Sequence, residues 1–431
     1  MKILLIGANG FIGSAVLQRL VQCGHDVVCC GRQCANLPRG GRVTFQRADL
    51  NEMLAEGDWM PLSNGIDAVV NCAGILRESR SGEFDRVHFQ APLALARACV
   101  ACGVDRFVQI SALGHPDDGA FIASKHRFDE ALLELGLTAC VLRPSVVHSL
   151  HGSYGGTSML RAAAALPGML VVPDEDVAKI QPILLEDLAA LAERALTLPR
   201  GSRVQLSAVG PEVMRVAQYL RSIRAWLELP EPVVTWRISS RLISVVATLS
   251  DRFRAAPIGR TTWRMLRRGN VAPPGEAEAA ADTLEYRPKS VSGALDNQAS
   301  FVQDRWHARL YLLRPVAWLA LVAIWLVSAA SGFTAAPEAY QPVLGRMGIP
   351  HGFQAGLVIG TSTLNLVLGL ALALRMFLRP VLWLMLLSVL GYTLAIGVLA
   401  PAFWLEPTGG LVKNLAILVL IAVTLVVENP R

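Results

Sequence analysis

The sequence predicts an α/β fold, a doubly wound parallel sheet, followed by an all-α region of four transmembrane helices. Three observations predict it. Short apolar segments alternate with helical ones over the first 145 residues, the pattern of βαβ units. A glycine-rich turn, Gly7-Ala8-Asn9-Gly10-Phe11-Ile12-Gly13, separates the first apolar run from the first helical one. Charge is unevenly spread: residues 1–308 hold 33 Lys/Arg and 31 Asp/Glu, whereas residues 309–431 hold 7 and 3. With 53% of the 431 residues hydrophobic and 17% charged, disorder is excluded as the main state. No internal repeat is present, which excludes a solenoid.

The elements follow in order. Ile3–Ile6 reads as the first strand. Its apolar run is broken at Gly7, too short for a secretory signal, which needs about 7–15 apolar residues. Ile12–Val21 reads as a helix stopped by Gly24. Asp26–Cys30, Val43–Gln46, Ala68–Asn71, Phe107–Ile110 and Ala139–Leu142 read as further strands, apolar throughout as doubly covered strands are. Helices are expected over Phe89–Ala101 and Phe121–Leu135. Beyond about residue 150 a smaller substrate or partner lobe is expected, giving a first domain over 1–300 and a membrane domain over 301–431. In that lobe Gln181–Leu188 starts a helix, 212–228 is amphipathic, and 272–281 reads as a surface loop. Segment 237–269 is basic and apolar; it reads either as a surface for an anionic membrane or as a basic helix packed on the sheet domain.

Residues 315–337, 347–374 and 380–405 contain no Asp, Glu, Lys or Arg, and each exceeds the roughly 20 residues that span a bilayer. A fourth apolar stretch, 411–427, is shorter and carries Lys413 near its start. Arg305, Arg309 and Arg314 precede the first span, and Arg375 and Arg379 separate the second from the third. The positive-inside rule then puts the N-terminal domain and the C-terminus in the cytoplasm, as in a multi-pass protein of a bacterial-type inner membrane. The absence of charge from the three long spans argues against an ion pump or proton channel. Thr361, Ser362, Thr363, Asn365, Tyr392 and Thr393 line a head-group pocket or bond helix to helix.

The charge balance of +2 over residues 1–308 provides no basic stripe for nucleic acid. All eight cysteines lie between Cys23 and Cys140. Cys23, Cys29, Cys30, Cys34 and Cys72 fall on or near strands, and Cys99 and Cys102 within a helix. They read as buried free thiols of a reducing compartment, with no second pair for a metal site.

The turn at 7–13 carries the chemistry. Gly7 permits the tight turn, Gly10 lets the backbone approach a pyrophosphate, and Gly13 permits close helix–strand packing. Asn9, Phe11 and Ile12 complete the loop, and the helix N-terminus faces the anion. This strand–turn–helix context marks a Rossmann-type dinucleotide site. At the end of the second strand stands Gly31-Arg32, where an NAD site offers Asp or Glu. Arg32 suits a 2′-phosphate, favouring NADP(H) over NAD(H); the alternative is that it stacks on the adenine. Asp49 and Leu50 are placed at the adenine edge, and Cys72, Ala73 and Gly74 beside the dinucleotide.

These residues resemble the extended and atypical short-chain dehydrogenase/reductase (SDR) superfamily. The likeness is carried by GANGFIG at 7–13, Asp49-Leu50, NCAG at 71–74, Phe107–Gly114, Ser124-Lys125, Leu142-Arg-Pro144 and Gln181–Leu188. Within it, QISALG and QPI…DL are most similar to the branch of the NADPH-binding accessory subunit of respiratory complex I. The C-terminal region resembles DoxX-like membrane domains in span number and hydropathy. The resemblance implies a catalytic Tyr-x-x-x-Lys; this chain has Phe121-Ile-Ala-Ser-Lys125. It gives Lys125 a role at the nicotinamide ribose and in proton transfer, and puts Ser111 near the usual Ser/Thr position, with Ala112 next to it. His115, His148, His151 and Tyr154 lie in loops at the carboxyl edge, where each is either a replacement proton donor or an ordinary loop residue.

The expectation is a membrane-bound NAD(P)(H)-dependent oxidoreductase acting on a lipophilic, quinone- or isoprenoid-like molecule. The alternative is a non-catalytic NADPH-binding scaffold or redox sensor of a membrane protein complex.

Overall fold

The computed structural model describes residues 1–33, 41–174, 179–253, 259–405 and 410–428. Cys34 and residues 254–258 of the basic segment lie outside them. The described residues pack as two compact units, Met1–Arg309 and Leu310–Arg431.

The first unit is built on a seven-stranded parallel sheet. Its strands in chain order are β1 (Lys2–Ile6), β2 (Asp26–Gly31), β3 (Val43–Arg47), β4 (Ala68–Asn71), β5 (Arg106–Ile110), β6 (Thr138–Pro144) and a last strand Arg203–Ala208. The spatial order is Arg203–Ala208, β6, β5, β4, β1, β2, β3. Strand order therefore reverses between β1 and β4, the crevice where doubly wound sheets bind ligands. Helices α1 (Phe11–Gln22), α2 (Glu56–Ser63), α3 (Glu83–Asp85), α4 (Ala91–Cys102) and α5 (Ala120–Glu134) connect the strands.

Side-chain alternation along the strands makes two cores. Ile3 and Leu5 of β1 face Val16, Leu17 and Leu20 of α1 together with Leu188 and Leu191. Leu4 and Ile6 face the opposite layer, with Trp59 of α2, Leu95 of α4 and Phe128 of α5. Burying each such side chain contributes about 1.5–3 kcal/mol. The smaller lobe has its own core of Leu170, Tyr219, Leu220, Ile223 and Leu295.

Several expectations are corrected. Residues 276–283 form a helix, Glu276–Thr283, rather than a loop. Acidic residues occupy its first turn, and Ala280 and Ala281 are buried. The amphipathic helix runs only over Val216–Trp226, because Met214–Arg215 pairs with Lys179–Ile180. Cys23 is exposed, unlike Cys29, Cys30, Cys99 and Cys140. Segment 237–269 divides into the end of strand Val234–Ile238 and two helices, Ser240–Phe253 and Arg260–Arg268.

From Val302 onward three helices, Val302–Thr334, His351–Ala373 and Leu378–Leu399, are long and apolar enough to cross a membrane, and Val412–Val427 is a shorter apolar helix; the first of them starts in the first unit and continues into the second. The first begins thirteen residues before its apolar run, and the connection after it forms a further helix, Pro337–Arg346. Trp325, Leu372, Leu382, Met385 and Ile421 form this unit's core. Gly332 lets the first and second of these helices touch: a Cβ there would lie 2.0 Å from Ser362 Oγ. Thr361, Ser362, Thr363 and Thr393 return their hydroxyls to carbonyls of their own helices. Asn414 Nδ2 donates across to Thr393 Oγ1 at 2.9 Å. These polar groups are thus satisfied within and between helices.

Candidate active site

The glycine turn is built by close backbone approach. Gly7 has φ +80°, and a Cβ on it would lie 2.9 Å from Ala73 N. A Cβ on Gly13 would lie 2.1 Å from Gly7 O, so only glycine lets α1 cross β1 there. Gly7 N donates to Cys30 O at 3.2 Å and Gly10 N to Gly7 O at 2.9 Å. Gly10, exposed and extended, caps α1. Phe11 and Ile12 are half-buried and Gly13 buried; the first-turn amides have no intrahelical acceptors, and the positive end of the helix dipole lies at this turn. This cradle fits the pyrophosphate of a dinucleotide.

Asn9 Nδ2 donates to Gln33 O at 2.6 Å, which ties the turn to the end of β2. Arg32 stands there, exposed. Its charge reaches Glu83, whose carboxylate also accepts Ser79 N at 2.6 Å. Burial pushes the Glu83 carboxyl up, but its hydrogen bonds and Arg32 hold it below the usual range. Asp49 is half-buried and folds back locally: its Oδ1 accepts Asn51 N at 3.0 Å. Leu50 packs on the core of the α2 and α4 layer.

After β4, Asn71 shapes the next turn. Its Nδ2 donates to Gln109 Oε1 at 2.8 Å and its Oδ1 accepts Ala73 N at 3.0 Å. Cys72 and Ala73 are half-buried and Gly74 is exposed. Burial drives the Cys72 thiol up to about 12, against the pull of Lys125, so it is no thiolate. A Cβ on Gly74 would sit 3.3 Å from Lys125 Nζ. Lys125 Nζ donates to Ile110 O at 3.0 Å and Ala73 O at 3.5 Å. Burial lowers this amine to about 8, while Asp129 and Cys72 oppose the shift.

Phe121 lies one turn before Lys125 on α5. Its ring meets His88 edge-on at 5.5 Å and Phe84 at 6.2 Å, and Phe84 stacks on His88 at 5.3 Å. His88 is fully occupied. Ile75 N donates to its Nε2 at 3.0 Å, so its proton sits on Nδ1 and goes to Ser124 Oγ at 2.9 Å. Ser124 Oγ in turn donates to Phe121 O. Burial, reinforced by Lys125, pushes His88 far below its ordinary range. It is a neutral packing residue at this site.

Ser111 points away from this cluster. Its Oγ donates to Asp129 Oδ2 at 2.6 Å, and Arg143 Nε donates to the same oxygen at 3.0 Å. His126 bonds Ala112 O at 3.0 Å behind it. The loop residues are dispersed. His115 caps the short turn Pro116–Asp118. His148 is buried in the smaller lobe against Tyr219 Oη at 2.6 Å. His151 meets Gln298 at 3.4 Å, and Tyr154 is exposed.

The structure thus brings together Gly7, Gly10, Gly13, Cys72, Ala73, Gly74 and Lys125 along the crevice, with Arg32 at one end and Phe121 at the other. It engages Ser111 elsewhere. Sequence reasoning missed His88, Phe84, Asp129 and Arg143. His88 lies at the foot of the helix expected from Phe89, between Val87 and Phe89, with nothing in its surroundings Arg86-Val87-His88-Phe89-Gln90 to single it out. Among the described residues no three His, Cys, Asp or Glu gather as a metal site.

Residues 3–164 match the model of the NAD dependent epimerase/dehydratase family, and residues 322–422 that of the DoxX-like family. A chloroplastic uncharacterized protein of Arabidopsis thaliana, At1g32220, is 24% identical over 159 residues, 34% of this chain and 51% of the relative. The chain therefore spans about half the length of that curated relative. UDP-glucose 4-epimerase of Thermotoga maritima, solved with UDP-glucose, superposes with a TM-score of 0.53 at 17% identity, covering 72% of this chain and 100% of its own. The Thermus thermophilus enzyme, solved with NAD, gives 0.52 at 18%, covering 72% and 99%. The structure titled gox2253 gives 0.55 at 18%, covering 72% and 99%. At such identities the likeness shows the fold. Crevice, family matches and apolar helices converge on one architecture: an epimerase/SDR-type Rossmann domain followed by a C-terminal DoxX-like domain.

Proposed function

We propose that the protein is an NADP(H)-dependent oxidoreductase of the SDR type that acts on a lipophilic substrate at the cytoplasmic face of a bacterial-type inner membrane. One observation carries the reading. A buried lysine amine, lowered to about 8, stands at the carboxyl edge of the sheet between the carbonyls of Ile110 and Ala73. A bound nicotinamide supplies or accepts the hydride. Gly7, Asn9, Gly10, Phe11, Ile12 and Gly13 hold the pyrophosphate, Arg32 the 2′-phosphate, and Asp49 and Leu50 the adenine side. Cys72, Ala73 and Gly74 line the dinucleotide. Lys125 holds the ribose. With Phe121 where the family has tyrosine, Lys125 is also the crevice group whose proton is available near neutral pH. Ser111, bound to Asp129, which Arg143 also holds, positions the edge of β5.

A second reading, an NADPH-loaded scaffold or sensor for a membrane protein complex, is favoured by Phe84, His88 and Phe121, which fill the proton-donor position with satisfied groups. The test is calorimetric titration of the purified full chain with NADPH and NADH, followed by nicotinamide absorbance with lipophilic quinone and carbonyl acceptors. Tight NADPH binding with oxidation supports the enzyme. Binding without oxidation by any acceptor supports the scaffold. Absence of binding overturns both.

A further inference from the structure

The helices Ser240–Phe253 and Arg260–Arg268 pack on each other through one face. Trp263 is buried, its Nε1 donates to Ser244 Oγ at 2.9 Å, and Ala247 is fully covered. The other face of the first helix is apolar and uncovered. Leu242, Val245 and Val246, at positions i, i+3 and i+4, are 53%, 55% and 53% exposed. The strand leading into it adds Trp236, 60% exposed. Residues 233–248 and 259–268 together hold Arg237, Arg241, Arg260, Arg264, Arg267 and Arg268, with no Asp or Glu.

The second helix shapes a basin. A cavity of about 310 Å³ is lined by Arg264, Arg267, Arg268, Asp117 and Asp118. Arg268 is committed to buried Asp118 at 2.9 Å, and Asp117 faces His115 at 3.2 Å. Among the described residues no carboxylate pairs with Arg264 or Arg267. Two guanidinium forks one turn apart at a concave surface match the oxygens of a phosphodiester.

We infer that this face docks on a bilayer rich in anionic phospholipid, with Leu242, Val245, Val246 and Trp236 entering the interface and Arg264 and Arg267 holding a lipid phosphate. Charge complementarity selects this occupant: the patch is basic, with six arginines against Asp117 and Asp118, of which Asp118 is paired with Arg268, and interfacial helices combine an apolar face with such arginines. The covalent link to membrane helices supplies a high effective concentration of bilayer, so a weak interfacial affinity is sufficient.

The full chain in nanodiscs tests this. Val245→Cys, carrying an environment-sensitive dye on a Cys23→Ser background, reports entry into lipid; the Cys23→Ser parent treated alike supplies the background. Emission moves to the blue when phosphatidylglycerol replaces part of the phosphatidylcholine. Arg264→Gln/Arg267→Gln lowers the docking constant roughly 25-fold, about fivefold per arginine. Equal emission in both lipids overturns the anionic-surface assignment. A shift that follows protein density in place of lipid charge overturns it in favour of a second copy of the chain. Reversal by inorganic phosphate, but not by chloride of equal ionic strength, assigns the arginines to free phosphate and also overturns it.

Discussion

The two ends of the crevice are built on opposite terms. At the glycine turn the backbone approaches itself so closely that side chains are excluded at Gly7 and Gly13. At Phe121 the space is filled, with two aromatic rings and a histidine whose nitrogens both have partners. One end is bare backbone and the other is packed side chains. On the proposed reading the glycine turn serves the nucleotide alone, whereas Lys125, one turn from the packed end, serves both the ribose and the proton, so nucleotide binding can persist where the family's tyrosine hydroxyl is gone.

Four substitutions test that contrast. The largest effect belongs to Gly13→Ala. Its methyl group would meet Gly7 O at 2.1 Å, so α1 must shift. Stability falls by about 3 kcal/mol, and calorimetry should show loss of nucleotide binding; retained affinity would separate the turn from the cofactor. Next is Phe121→Tyr, which restores a proton donor one turn from Lys125. Oxidation of NADPH by carbonyl acceptors should rise roughly 100-fold; an unchanged rate would mean that the packed end does not limit turnover.

Lys125→Met should weaken NADPH binding about tenfold, the worth of one charged hydrogen bond. In the parent chain affinity falls as pH rises through about 8, where the amine loses its charge, and the variant should bind independently of pH in this range. Stability runs the other way. The unfolded amine keeps its proton to about 10.5 while the folded one releases it near 8. The unfolded state therefore binds more protons in this window, and this group makes the fold more stable as pH rises across it. Thermal unfolding of both chains in detergent measures the difference. Smallest is Arg32→Ala, which on the proposed reading should cost NADPH about fivefold and leave NADH unchanged, since the exposed guanidinium would serve a 2′-phosphate that NADH lacks. Equal losses for both nucleotides would instead support stacking on the adenine.

Strands β1 to β6 and the glycine turn were legible because each is a local signal: an apolar run, then residues that only a tight turn needs. The strand Arg203–Ala208 was not, since its outer half is exposed and Arg-Val-Gln-Leu-Ser-Ala mixes polar with apolar residues at a sheet edge. Helix Glu276–Thr283 was hidden behind Pro273 and Pro274, which read as loop although Glu and Ala favour helix once past them. In the site, Lys125 was singled out by the resemblance and by being one of five lysines against 35 arginines. The engagement of Ser111 by Asp129 and of His88 by Ser124 joins residues 18 and 36 positions apart, and only the folded crevice brings them together.

The chain uses five lysines against 35 arginines. An amine that releases its proton near 8 rather than 10.5 is, at mildly alkaline pH, nucleophilic roughly 100 times more often than an ordinary lysine. Lys125 is therefore a built-in chemical reporter. A small acylating or aldehyde reagent able to enter the crevice should mark it ahead of Lys2, Lys179, Lys289 and Lys413, and a ribose seated over Gly74 would shield it. Peptide mapping of the labelled chain would then read occupancy of the crevice directly, without any need to know the substrate.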